Sequence, residues 1–218
     1  YFSPHYPWYG VYDLLQGACE LPFNADTHAA FVEDINAALE KENSGYRMVN
    51  GEFCPITNEL ELEAVRTAGA SDEVAAPMRI HFQQALEHLS NRENPDYRNS
   101  MKESITAIEV LCRAISGMKD ATFTPAMEKT VKELGLTEHI REGYRNIFKY
   151  TCDDHGIRHG LKDGRQPEQE DARFMLVTCS AFANFIIEKA RKLGKIPKYP
   201  PDKSISTDKI SIATQSPA

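Results

Sequence analysis

The chain has 218 residues, 41% of them hydrophobic and 26% charged, with a formal net charge of −7. That length suits one large domain or two small ones and is enough for a real core. The acidic front of the chain is a poor general nucleic-acid surface, since phosphate contacts dominate that affinity, which leaves any RNA or nucleotide contact to a local patch further on. No run approaches the roughly 18 apolar residues of a membrane span.

The charge is uneven. Residues 1–71 carry a net −8, residues 72–194 a net −1 and residues 195–218 a net +2. The opening "YFSPHYPWYG" lacks the basic start and apolar run of a secretory signal, and the absence of an initiator Met suggests a trimmed chain. Five cysteines (Cys19, Cys54, Cys112, Cys152, Cys179) are scattered without any C-x-x-C, which speaks against a zinc ribbon or a disulfide framework. Cys112 and Cys179 fall on apolar helix faces and read as small buried hydrophobes. A cytoplasmic, reducing location without a membrane partner is the expectation.

In chain order, "THAAFVEDINAALEKE" predicts a helix with Thr27 as cap, its Phe31, Ile35 and Leu39 recurring every four residues. "YRMVNGEFCPI" places Asn50-Gly51 between two short strand-like runs, the signature of a tight hairpin over 46–56. "TNELELEAVRTAG" predicts a helix capped by Asn58 and ending at Gly69. A helix–hairpin–helix could form a winged DNA-binding module, but the local acidity favours a structural hairpin.

From Ser71 the pattern is that of a helical bundle. Val74, Met78, Phe82, Leu86 and Leu89 form one stripe, with Pro77 early enough to be tolerated. "NPDYRNSMKESITAIEVLCRAISG" predicts a helix with Asn94 as cap, whose Met101, Ile105, Ile108, Cys112 and Ile115 make a bundle seam. "TPAMEKTVKELG" repeats the cap-proline start at Thr124 and Pro125, and "TEHIREGYRNIFKYT" aligns Ile140, Tyr144, Ile147 and Phe148. "PEQEDARFMLVTCSAFANFIIEKARKLG" is apolar nearly all round, which predicts a helix lying between others, and 195–218 should be a poorly ordered tail.

The chemistry-bearing types concentrate in "YTCDDHGIRHGLKDG". His155 and His159 are four apart, with Cys152, Asp153 and Asp154 nearby, but Gly156 and Gly160 interrupt a helix and no second ligand pair is visible, so no metal or other cofactor is expected. His81 and His88 read as core-edge residues. No G-x-S-x-G and no P-loop spacing is present. Metal-free phosphodiester chemistry needs a base, an acid and a cation for the phosphoryl charge, and Arg158 and His159, with Arg145 on the preceding helix, supply those types. A helix-joining loop in which Arg158 pairs with Asp153 or Asp154 is the plainer reading. Arg98, Asn99, Ser100 and Glu103 form a polar turn on the "DYRNSMKES" helix that either meets this loop or faces solvent.

"NPDYRNSMKESITAIEVLCRAISG", "GIRHGL" and "ARFMLVTCSAFANFII", preceded by "LEKENSGYRMVNGEFCPIT", resemble the fourth type of N-terminal domain of the abortive-infection J (AbiJ) proteins over roughly residues 8–192. The bundle half is also similar to the HEPN superfamily (higher eukaryotes and prokaryotes nucleotide-binding) of helical bundles, often dimeric, many of them metal-independent ribonucleases. Active members of that superfamily carry an arginine followed four to six residues later by histidine. This chain has no such pair, so the superfamily's catalytic residues do not transfer.

The resemblance implies an all-α protein: a HEPN-like bundle over 72–194 behind an acidic segment, 1–71, with one small β-hairpin. It implies a phage-defence or toxin-type role, interaction with RNA or a nucleotide, a homodimer and a defence-system partner protein. Two activities stay open. One is a metal-independent endoribonuclease using Arg158 and His159, supported by Arg98, Asn99, Glu103, Arg145, Asp153 and Asp154. The other is a non-catalytic dimerisation or recognition module that senses a ligand or partner effector.

Overall fold

The structure, a computed structural model, describes residues 7, 9–70, 76–152 and 166–196. Its element order is α1 (Gly10–Cys19), α2 (Ala25–Lys41), β1 (Arg47–Val49), β2 (Glu52–Cys54), α3 (Glu59–Ala70), α4 (Ala76–Ser90), α5 (Tyr97–Ser116), α6 (Phe123–Glu133), α7 (Glu138–Cys152) and α8 (Gln169–Lys192). The fold is all-α with one two-stranded antiparallel hairpin, as the sequence predicts.

The hairpin forms because Asn50 and Gly51 both accept positive φ, 49° and 85°, as a two-residue type I′ turn requires. Its register pairs Val49 with Glu52, Met48 with Phe53 and Arg47 with Cys54. Residues flanking a two-residue turn exchange hydrogen bonds, so the Met48 N–H and C=O point away from β2. The Asn36 side chain on α2 meets both: Met48 N donates to Asn36 Oδ1 (2.7 Å) and Asn36 Nδ2 donates to Met48 O (2.9 Å). One asparagine thus stands in for a third strand. The hairpin is a packing element: Met48 and Phe53 are fully buried with Cys19 and Ile35 in a small cluster, while Val49 and Cys54 enter the main core.

The main core is organised by α5, which packs against α4, α6 and α8. Met101, Ile105, Ile108, Cys112 and Ile115 are all buried, so the predicted seam is real. On α8, Met175, Leu176, Cys179, Phe182, Ala183, Ile186 and Ile187 are buried as well, and the helix lies against α3, α4 and α5. Asn184 on α8 donates to the Ala64 carbonyl of α3 (3.0 Å), tying the front segment to the bundle. Burial pushes the Cys112 and Cys179 thiols up to about 12, so both behave as apolar filler.

Several helix starts differ from the predicted ones by a few residues. Asn24, not Thr27, caps α2, accepting from Thr27 N (2.8 Å). Asp96, not Asn94, caps α5, accepting from Asn99 N (3.0 Å), because a carboxylate at that point also meets the Asn99 amide. Thr122, not Thr124, precedes α6, which leaves Pro125 in the first turn, where its missing N–H costs nothing. Asn58 does cap α3, accepting from Leu60 N and Glu61 N.

Helix α1 is absent from the sequence expectation. Tyr12, Leu15 and Cys19, spaced three and four, pack it onto the hairpin cluster. Arg92, after α4, fastens it there. Its side chain, 8% exposed, pairs with Asp13 and lies over the Tyr12 and Phe53 rings at 5.8 and 5.9 Å. Val74, the segment 197–218 and the loop 153–165 lie outside the described residues.

Candidate functional site

The polar types flagged on α5 do gather, but against α4. The two helices run antiparallel and give up apolar packing along one edge of their contact. At one end, Asp96 N donates to the His88 carbonyl (3.0 Å). Midway, Ser100 Oγ donates to the Ala85 carbonyl (2.7 Å), and Ser104 Oγ to the Ser100 carbonyl (2.8 Å). At the other end, His81 Nδ1 lies 2.7 Å from Glu103 Oε2, while Lys102 Nζ lies 3.2 Å from Glu103 Oε1.

The Glu103 carboxylate is 12% exposed and both of its oxygens are engaged. Burial pushes its pKa up, but hydrogen bonds from His81 and Lys102, with their charges, outweigh it and hold the group below the usual carboxylate range. An ionised carboxylate only accepts, so His81 Nδ1 must be the donor, and Nε2 is left as the second nitrogen. Nε2 has no partner among the described residues, and the ring is 27% exposed. Such an imidazole is held in one tautomer and orientation by a buried acid, the arrangement of a general base with its orienting group.

Asp96 is shaped by a similar balance. Burial raises its pKa, but the two Asn99 hydrogen bonds, with His88 and Arg98 close by, hold the carboxyl below its ordinary value. Arg98 stands one turn before Lys102 on α5, so two cations share a face of the helix beside His81.

Of the predicted site residues, Arg98, Asn99 and Glu103 therefore belong to this seam. Arg145 is on α7, half-exposed, where its guanidinium pairs with Glu142 (3.4 Å). Arg158, His159, Asp153 and Asp154, with Gly156, lie outside the described residues. Sequence reasoning passed over His81 as a core-edge histidine. It does sit at the core edge, and what it lacked was a visible partner, since Glu103 is 22 residues away and meets it only through the α4–α5 packing.

A second feature lies on the opposite character of surface. A cleft of about 1070 Å³ opens between α2, the hairpin and α4, lined by Glu20, Glu33, Glu40, Glu52, Glu59 and Glu87 over an apolar floor that includes Val32, Met48 and Val49. Its arginines are engaged elsewhere: Arg47 donates to the Ser44 and Tyr46 carbonyls (2.9 and 2.8 Å), and Arg66 pairs with Glu63 (2.8 Å). Burial raises the Glu52 pKa and the neighbouring Glu87 adds to it, against a hydrogen bond from Gln16 (2.9 Å). So negative a lining repels phosphate.

Among the described residues no group of three or more His, Cys, Asp or Glu side chains is placed to hold a metal ion, and no helix is long and apolar enough to cross a membrane.

Residues 1–71 match the family model of the AbiJ N-terminal domain 4. Of the segments that carry the resemblance, "LEKENSGYRMVNGEFCPIT" falls inside the match, while α4, α5 and α8 follow it. No curated protein and no solved structure matches the chain.

Proposed function

We propose that the chain serves in abortive infection, the defence in which an infected bacterium halts growth, and that its bundle acts on RNA or a nucleotide. The family match over residues 1–71 carries the defence assignment. The seam geometry supports the second half of the reading: an imidazole oriented by a buried carboxylate stands beside Lys102 and Arg98, the residue types that phosphate chemistry at neutral pH requires.

The test is a phage-challenge assay. Cells expressing the full chain, within its own defence locus where one accompanies it, are compared with cells carrying the empty vector. Lower phage plating together with growth arrest of infected cells supports the assignment. Equal plating and equal survival reject it.

The acidic cleft favours a second reading. Six glutamates around an apolar floor suit a basic polypeptide better than a nucleic acid. On this reading the chain is a recognition module that docks a partner effector or a second copy of itself and cleaves nothing. Purified wild type that binds a partner, yet leaves RNA intact, would favour it.

A further inference from the structure

We infer that His81 is the proton-transferring group of a phosphodiester-handling site on the α4–α5 seam, with Glu103 as its positioning residue and Lys102 as the cation that meets the phosphate. This rests on the RNA reading above and assigns its residues.

Three observations carry it. First, the His81–Glu103 contact is 2.7 Å and joins two helices through a carboxylate that is itself largely buried, so the ring cannot turn without taking the donor from one of its oxygens. Second, the carboxylate's other oxygen holds Lys102 at 3.2 Å, and the Lys102 side chain is 47% exposed. Imidazole and ammonium are thus separated by a single carboxylate, close enough to address neighbouring oxygens of one phosphate. Third, Arg98 stands one turn before Lys102 on the same face of α5. A purely structural tie between α4 and α5 would not need the half-exposed ammonium of Lys102 beside the imidazole.

The step balances without a metal or redox partner. His81 Nε2 takes the proton of a ribose 2′-hydroxyl, and the 2′-oxygen attacks the adjacent phosphorus. The bond from phosphorus to the 5′-oxygen breaks as that oxygen takes a proton from water. The products are a 2′,3′-cyclic phosphate and a 5′-hydroxyl, and the imidazolium returns its proton to solvent. Lys102 offsets the charge that builds on the non-bridging oxygens. DNA lacks the nucleophile and is untouched.

The experiment uses the full chain, a short end-labelled single-stranded RNA of mixed sequence, and its DNA counterpart. Wild type should cleave the RNA in the presence of a chelator and spare the DNA. His81→Gln, which still offers Glu103 a donor, should lower kcat by about 100-fold or more while the melting temperature holds. Glu103→Gln should lower kcat with little change in KM and displace the acidic limb of the pH–rate profile, which loss of packing alone would not do. Nitrogen-15 NMR of the wild type should show neutral His81 protonated at Nδ1.

The outcomes separate the two claims. If wild type cleaves RNA and His81→Gln cleaves it equally well, the assignment of His81 fails while the RNA reading stands. If wild type leaves RNA intact, the reading fails and the assignment with it. An Nε2-protonated His81 overturns the proposed orientation by itself.

Discussion

Replacing Asn36 by leucine isolates a single side chain's contribution to the hairpin. In the wild type, Asn36 satisfies the N–H and C=O of Met48 at 2.7 and 2.9 Å, and Met48 is fully buried. Leucine has similar bulk and better helix propensity, so α2 itself should not suffer. What changes is that one backbone donor and one acceptor lose their partners. Each buried unsatisfied group costs about 1–3 kcal/mol, and the cleft beside Met48 admits some water to the freed pair. The expected loss is therefore about 2–4 kcal/mol, a large part of the roughly 5–15 kcal/mol a domain has. Asn36→Asp should cost less than leucine, since it keeps the acceptor for Met48 N, but should still destabilise by setting a carboxylate against the Met48 carbonyl. Urea unfolding followed by circular dichroism measures both, and hydrogen exchange at the Met48 amide localises the effect. An Asn36→Leu variant within about 0.5 kcal/mol of wild type, with Met48 still protected, would refute the idea that this asparagine completes the strand edge.

Ile108→Asp should unfold the bundle, since Ile108 is 2% exposed in the α5 core and an unpaired buried charge costs several kcal/mol; a cooperative variant with unchanged melting temperature would contradict the packing. The pH dependence of Glu103 has a defined sign. Its folded pKa lies below the unfolded value, so the unfolded chain binds more protons between the two, and stability rises with pH across that window. The stabilisation is complete above about pH 4.3 and is lost as pH falls through the folded value. Melting temperatures of wild type and Glu103→Gln should thus converge in acid; a gap that stays constant down to about pH 3 would contradict this. Arg92→Ala should loosen α1 by about 1–3 kcal/mol, seen as faster amide exchange over Gly10–Cys19, and Arg92→Lys should restore little because lysine lacks the planar group that lies over Tyr12 and Phe53.

The bundle was legible because its signals are periodic and local. The Met101–Ile115 stripe and the broad apolar surface of α8 each predict burial from spacing alone, and the Asn50-Gly51 pair predicts its turn from the φ values those two residues tolerate. Helix α1 was not, since ten residues with a short apolar stripe are marginal alone, and what fixes them is Arg92, some eighty residues further on. The cap shifts share one cause. Asn, Asp and Thr cluster near each start, and the backbone selects whichever side chain reaches an orphan N–H, which composition does not reveal.

The polar seam shows where such reading stops. Arg98, Asn99 and Glu103 stood out on α5 because charged and amide groups beside an apolar stripe need partners. The partner set was invisible, because His81 lies on another helix and looks unremarkable in its own stripe. A buried carboxylate is informative in this respect. Glu103 must be paired to remain ionised where it sits, so its burial alone predicts a donor across the helix contact. The antiparallel pairing fixes where that donor has to be: Ala85 is opposite Ser100, and one turn back along α4 is His81, level with Glu103. The same chain gathers six glutamates around the hairpin cleft and places Arg98 and Lys102 one turn apart on the bundle. The glutamate-lined hairpin cleft is thus the less favourable of the two surfaces for an anion.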